Sequence, residues 1–87
     1  MEREDVAQRI RRIIHSVTSI PQERLSETTS FRKDLKLDSL SLMEIGIDVE
    51  HEFRLGVPEE RWQDLDTVGQ TADFVLREFS SRSAKSA

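Results

Sequence analysis

The sequence predicts an all-α fold, a small four-helix bundle with three long helices, one short helix and a long first loop. Three observations support this class. Apolar residues repeat at steps of three and four in three separate stretches, no stretch alternates like a half-buried strand, and the first connection is long and polar. At 87 residues the chain has room for one modest core. Such a chain buries its apolar stripes by packing helix on helix.

The first helix is predicted from about Arg3 to Val17, with apolar residues on one side and arginines on the other. Pro21 ends it, because the residue before a proline is pushed out of the α region. Residues 19–37 then form a connection of unusual length for a small domain, so we expect a packed loop with a function. The isolated apolar residues of this loop are Ile20, Leu25, Phe31, Leu35 and Leu37.

The second helix is predicted over residues 39–53, with Asp38 as its N-cap and Leu55-Gly56 as its stop. Gly46 in its interior costs about 1 kcal/mol relative to alanine, which indicates that another element or a ligand approaches closely there. Its main apolar stripe consists of Leu42, Ile45, Val49 and Phe53.

Two further helices are predicted toward the C-terminus. Pro58 and the two acidic residues after it open a short helix through about Trp62, because both residue types are favoured in a first turn. Thr67, followed three residues later by Gln70, fits a capping box that opens the last helix. The apolar stripe of that helix consists of Val68, Ala72, Val75, Leu76 and Phe79.

The folded domain is predicted to cover residues 1–79. After Phe79 the chain has no apolar residue larger than alanine, and a segment of this kind cannot bury enough surface to order itself. Residues 80–87 are therefore expected to form a disordered tail.

Charge and composition exclude several functions. Seventeen acidic against thirteen basic residues give a net charge of −4, the wrong sign for nucleic-acid binding, and the central helix is too acidic for the recognition helix of a helix-turn-helix domain. The absence of cysteine excludes disulfides and thiolate chemistry. No apolar run approaches the length of a membrane span, and no signal region is present. We expect a cytoplasmic monomer that does not insert into membranes.

Ser39 stands where the polar loop gives way to the second helix. A phosphate esterified to its hydroxyl would lie near unpaired backbone N–H groups and the positive end of the helix dipole. No histidine lies within a few residues, and the neighbouring Asp38 is expected to cap the helix, so nothing nearby would activate Ser39 as a nucleophile. The alternative is that Ser39 is only a favoured helix-start residue.

Asp38-Ser39-Leu40 resembles the attachment motif of the acyl carrier protein family, whose serine carries 4′-phosphopantetheine at the start of the second helix. The resemblance runs from about residue 6 to residue 79. Two residues before the aspartate the family usually has glycine, where this chain has Lys36. Other matching features are Asp34-Leu35, Glu44, Glu50, Glu52-Phe53, Val57-Pro58 and Thr67-Val68.

The resemblance implies a free-standing carrier and not an enzyme. A phosphopantetheinyl transferase would move phosphopantetheine from coenzyme A onto Ser39, with Asp38 and Leu40 completing the recognised motif. The arm would then carry acyl groups as thioesters to acyl-transferring and condensing enzymes of fatty acid, polyketide or related biosynthesis. The interior is expected to be loose enough to admit an acyl chain. An unmodified helical interaction module is the alternative.

Met43 and Ile47 lie about 120° around the second helix from its main apolar stripe. Both could be buried, because a central helix often packs on two sides. They could instead form a partly exposed pair flanked by Glu44 and Glu50, which is typical of an interaction surface. The matching positions in acyl carrier proteins meet partner enzymes, so we favour this interpretation and expect partners with basic docking faces.

Two features of the sequence invite other interpretations. His51-Glu52 begins the pattern of a zinc protease, but Leu55 occupies the place of its second histidine, so no metal site is predicted. Trp62 could stack on a ligand, although in a chain with five aromatic residues we interpret it as a partial plug of the core.

Overall fold

The structure, a computed structural model, describes residues 2–86, which form four α-helices and one short 3₁₀ helix. The α-helices are α1 (Arg3–Thr18), α2 (Ser39–Phe53), α3 (Glu59–Trp62) and α4 (Val68–Ser86), and the 3₁₀ helix is Gln22–Arg24. Residues 2–86 contain no strand, which confirms the predicted all-α bundle of three long helices and one short helix. No helix within this range is long and apolar enough to cross a membrane.

One core joins the helices. α1 packs against both α4 and α2, and α3 packs against α2. The predicted stripes face inward, because the residues at helical spacing in each stretch are the ones withdrawn from water. The fully buried large residues of the three long helices are Val6, Ile10, Ile14, Val49, Val68 and Val75.

The long first loop is packed, as predicted. Leu25 and Phe31 are buried in the core. The Phe31 N–H donates to the Asp66 carbonyl at 2.6 Å, and the Gly69 N–H donates to the Glu27 carbonyl at 3.0 Å. These two bonds hold the loop against the start of α4. The loop therefore has a fixed position where it leads into α2.

α1 and α2 both end on a residue in the left-handed conformation that is not glycine. Ser19 follows α1 with φ 65°, so the helix ends at Thr18, three residues before Pro21. Arg54 follows α2 with φ 51°, and its N–H donates to the Glu50 carbonyl at 2.6 Å. The stop therefore precedes the predicted Leu55-Gly56, although Gly56 also has a positive φ of 73°.

α4 continues beyond Phe79 to Ser86, and no glycine or proline follows Gly69 in the sequence. The disordered tail expected from residue 80 stays a prediction. Ala87 lies outside the described residues. The predicted domain boundary at residue 79 stays a prediction.

Candidate functional site

Ser39 is the first residue of α2, and its side chain is exposed. Asp38 precedes it with extended backbone and caps the helix: Asp38 Oδ1 accepts a hydrogen bond from the Ser41 N–H at 2.8 Å. This bond, together with one from the Ser41 hydroxyl, lowers the pKa of Asp38. Asp38 is therefore an anion at neutral pH whose carboxylate belongs to the cap, as predicted.

The hydroxyl of Ser39 has no hydrogen-bond partner among residues 2–86. The backbone N–H groups of Ser39 and Leu40 also lack partners within this range, as first-turn donors of a helix do unless a cap or ligand meets them. An exposed hydroxyl beside free N–H donors and the positive end of a helix dipole suits a phosphate ester. It does not suit self-activation, because no described base touches it.

Lys36, in the turn before α2, has φ 54°. This is the left-handed region, which glycine adopts freely and which costs other L-residues about 1 to 2 kcal/mol. The turn persists because the Leu37 N–H donates to the Phe31 carbonyl at 2.9 Å and the Ser30 N–H donates to Asp34 Oδ2 at 2.8 Å. Lysine at this position thus keeps a turn suited to glycine and adds a positive charge near Ser39.

The close approach predicted at Gly46 is made by Trp62. A β-carbon at position 46 would lie 2.7 Å from Trp62 Cβ and 2.9 Å from Trp62 Cγ, well inside normal contact distance. Trp62 is only 5% exposed and meets Phe74 edge to face, with ring centroids 5.2 Å apart. Trp62 therefore plugs the core between α2 and α4, in agreement with its predicted role.

A small cavity lies beside this plug. Its volume is about 10 Å³, about the space of a single water, so no acyl chain fits without displacement of its wall. The interior in this form is thus tighter than the sequence suggested. The cavity is lined by Phe31, Leu42, Ile45, Gly46, Val49, Trp62, Leu65 and Thr71.

The outward surface of α2 carries two large apolar side chains next to an acid. Leu40 is 63% exposed and Ile47 is 37% exposed, while Glu44 between them is exposed and has no ion-pair partner among residues 2–86. Their spacing puts all three on one side of the helix. We call Leu40, Glu44 and Ile47 the α2 outer face. Met43, the other predicted docking residue, is half-buried.

Glu50, predicted to flank the same surface, is half-buried and bound to the following loop. Its carboxylate accepts hydrogen bonds from the Gly56 N–H at 2.7 Å and from the Val57 N–H at 3.0 Å. Sequence reasoning missed this contact, because a carboxylate on an amphipathic helix resembles any solvated acid. Its predicted role in docking stays a prediction.

Comparisons with known proteins find acyl carrier proteins among the relatives of this chain. A family model described as the phosphopantetheine attachment site matches residues 8–75. The chain is 32% identical over 76 residues to an acyl carrier protein of Rubrobacter xylanophilus, covering 87% of this chain and 94% of that one. It is 32% identical over 79 residues to the mitochondrial acyl carrier protein of Saccharomyces cerevisiae, covering 86% and 63%. The solved acyl carrier protein of Enterococcus faecalis matches with a TM-score of 0.73 at 29% identity, over 90% of this chain and 99% of that one.

Proposed function

We propose that this chain, which belongs to the acyl carrier protein family, bears its 4′-phosphopantetheine on Ser39. The chain is a carrier and not a catalyst, as its family is. The observation that carries the proposal is the exposed hydroxyl of Ser39, without a described partner, at the first residue of α2. It lies inside the matched residues 8–75 and directly after the capping Asp38.

The residues at the start of α2 fit the phosphate of such a group. The free N–H groups of Ser39 and Leu40 and the helix dipole favour an anion there. Asp38 accepts the capping bond of the first turn and its pKa is lowered, so its carboxylate is a poor proton acceptor and the base for Ser39 must come from a separate transferase. When bound, phosphopantetheine supplies a terminal thiol on which acyl groups are carried as thioesters. Coenzyme A is the proposed donor.

Partner enzymes are proposed to dock on the α2 outer face. Leu40 and Ile47 offer apolar surface, and Glu44 offers a negative charge that no described residue neutralises. An apolar patch with a charged neighbour suits a partner with a basic surface, because the charge speeds encounter and the apolar contact prolongs binding. The first partner would be a phosphopantetheinyl transferase, and acyl-transferring and condensing enzymes would follow it.

Intact mass after modification tests this function. The unmodified protein would be incubated with coenzyme A, Mg²⁺ and a broad-specificity phosphopantetheinyl transferase. We expect the mass to rise by one phosphopantetheine, and Ser39→Ala to prevent the rise without loss of helical circular dichroism. An unchanged wild-type mass beside a modified control carrier would instead identify an unmodified interaction module.

A further inference from the structure

The indole N–H of Trp62 is a buried hydrogen-bond donor without a partner in the described residues. Its side chain is 5% exposed, and its Nε1 is buried without a hydrogen-bond partner among residues 2–86. Buried indole N–H groups usually find an acceptor, because an unpaired donor withdrawn from water destabilises the protein. Phenylalanine at this position would also fill the core and would bury no unpaired donor. Packing of the core alone therefore does not account for the N–H group of Trp62.

The indole lies where a chain attached to Ser39 would meet the interior. Gly46 is seven residues after Ser39, about 10 Å along the helix and on nearly the same side. A β-carbon at Gly46 would be 3.3 Å from Trp62 Cδ1, the ring atom bonded to Nε1, so the edge of the indole that bears the N–H lies against this bare stretch of α2.

Trp62 also lines two spaces. One is the cavity of about 10 Å³, and the other is a cleft of about 170 Å³ lined by Ile47, Glu50, His51 and Val57. A chain that extends from the cleft into the cavity would therefore meet Trp62, the residue that bears the unpaired Nε1.

The other polar side chain on the cavity wall is already engaged. Thr71 is 3% exposed, and its hydroxyl donates to the Thr67 carbonyl at 2.8 Å. Among the described residues that line the cavity, Trp62 is therefore the one whose side-chain donor is buried and unpaired. A saturated acyl chain would leave it unpaired, whereas a chain bearing a hydroxyl or keto oxygen would bring it an acceptor.

We propose that Trp62 is a specificity-determining residue that donates its Nε1 hydrogen to an oxygen on the acyl chain. This inference rests on the proposed attachment at Ser39 and names the substrate class as hydroxyacyl and ketoacyl chains. The carrier holds these chains in preference to saturated chains of equal length, because an oxygen along the chain pairs the buried donor, whereas a saturated chain offers only the thioester carbonyl at its attached end.

The test uses the fact that Trp62 is the only tryptophan in the chain, so ¹⁵N-labelled protein gives one indole N–H signal. The protein would carry phosphopantetheine alone, octanoyl, 3-oxooctanoyl, or octanoyl with a hydroxyl at carbon 3, 5 or 7. Intact mass would verify each loading first, so failed attachment counts against the proposed function and not against this inference. We expect at least one oxygenated chain to shift the indole proton downfield of its octanoyl position and to raise the melting temperature above that of the octanoyl form.

Two variants separate the donor from general packing. Trp62→Phe keeps an aromatic ring but removes the donor, so the oxygenated and octanoyl forms should melt together. Thr71→Val removes the hydroxyl of the other polar residue that lines the cavity and should leave the indole shift in place. An indole signal that is the same with octanoyl and every oxygenated chain, or that reaches its full shift with phosphopantetheine alone, would overturn the proposal. If Trp62→Phe does not fold, the wild-type spectra alone decide.

Discussion

Trp62 lies against Gly46 so closely that a β-carbon on the glycine would come within 2.7 Å of the tryptophan β-carbon. This contact fixes α3, which is only four residues long, to the middle of α2. The helix thus accepts a residue of low helix propensity in exchange for close packing.

Gly46→Ala should therefore destabilise the protein. Alanine stabilises a helix by about 1 kcal/mol relative to glycine. Its β-carbon would, however, overpack against Cβ and Cγ of Trp62, which costs about 1 to 3 kcal/mol. We therefore expect the free energy of unfolding to fall by about 1 kcal/mol. Urea unfolding would measure it. Asp48→Ala, at an exposed position of the same helix, is the control and should stay within about 0.5 kcal/mol of wild type. A Gly46→Ala protein more stable than wild type would mean that α3 moves away without cost.

Lys36→Gly should stabilise the fold. Glycine removes the cost of φ 54°, although it also gives the unfolded chain more freedom, so the expected gain is about 0.5 to 1 kcal/mol. Lys33→Gly makes the same chemical change three residues earlier, at a position without positive φ, and should not stabilise. Equal effects in the two variants would show that the lysine charge, and not the backbone, is responsible.

Stability should fall in acid because of two carboxyls. Hydrogen bonds from Ser41 lower the pKa of Asp38, and a hydrogen bond from the Ser30 hydroxyl, with contacts from Arg32, lowers the pKa of Asp66. A lowered folded-state pKa contributes stability that is present above the unfolded value of about 3.9 and is lost as pH falls through the folded value. The urea midpoint should thus decline below about pH 4.

Asp66→Asn should flatten that decline, since the asparagine cannot titrate. Asp64→Asn serves as the control, because Asp64 is exposed and its side chain has no partner within residues 2–86. If the urea midpoints of wild type and Asp66→Asn fall equally steeply between pH 5 and pH 2, Asp66 does not contribute to the loss of stability in acid.

The α2 outer face should govern modification by a transferase with a basic docking surface. Glu44→Lys reverses a charge that has no described partner, so it should slow modification at low salt, and the difference should shrink as salt screens the charge. Glu23→Lys makes the same change in the exposed first loop and should modify at the wild-type rate. Equal rates for Glu44→Lys and wild type at low salt would place docking elsewhere.

Leu40→Ala separates docking from folding on the same face. Leu40 is 63% exposed, so truncation should leave unfolding within about 0.5 kcal/mol of wild type while weakening transferase binding by about 1 to 2 kcal/mol if the side chain is buried at the contact. Met43→Ala should also cost fold stability, because Met43 is half-buried. Isothermal titration and urea unfolding would measure the two effects. Normal binding by Leu40→Ala would remove this residue from the interface.

Features that depend on residues close together in the sequence could be predicted from it. The bounds of α2 and the cap by Asp38 follow from a local side-chain bond and a helical stripe, and both were confirmed. Gly46 indicated a close approach, but its partner Trp62 could not be identified, because that contact depends on how α3 folds back over α2. The hydrogen bond that Glu50 accepts from the Gly56 N–H could not be predicted for the same reason.

The surface of α2 shows a second limit of prediction from the sequence. Met43 and Ile47 were identified by their angle around the helix, whereas Leu40 was assigned only to the attachment motif. Leu40 is nevertheless the more exposed side chain, because none of the described elements covers the first turn of α2 on that side. Periodicity gives the angle of a residue around a helix but not which turns other elements cover.

The most direct test is to locate the added group within the modified protein. Ser39 and Ser41 lie two residues apart at the start of α2. The Ser41 N–H donates to Asp38 and Ser41 is half-buried, whereas Ser39 is exposed and its hydroxyl has no described partner. Fragmentation of the peptide that spans them should place phosphopantetheine on Ser39 alone, and Ser41→Ala should remain fully modified. Phosphopantetheine on Ser41, or full modification of Ser39→Ala, would contradict the assignment.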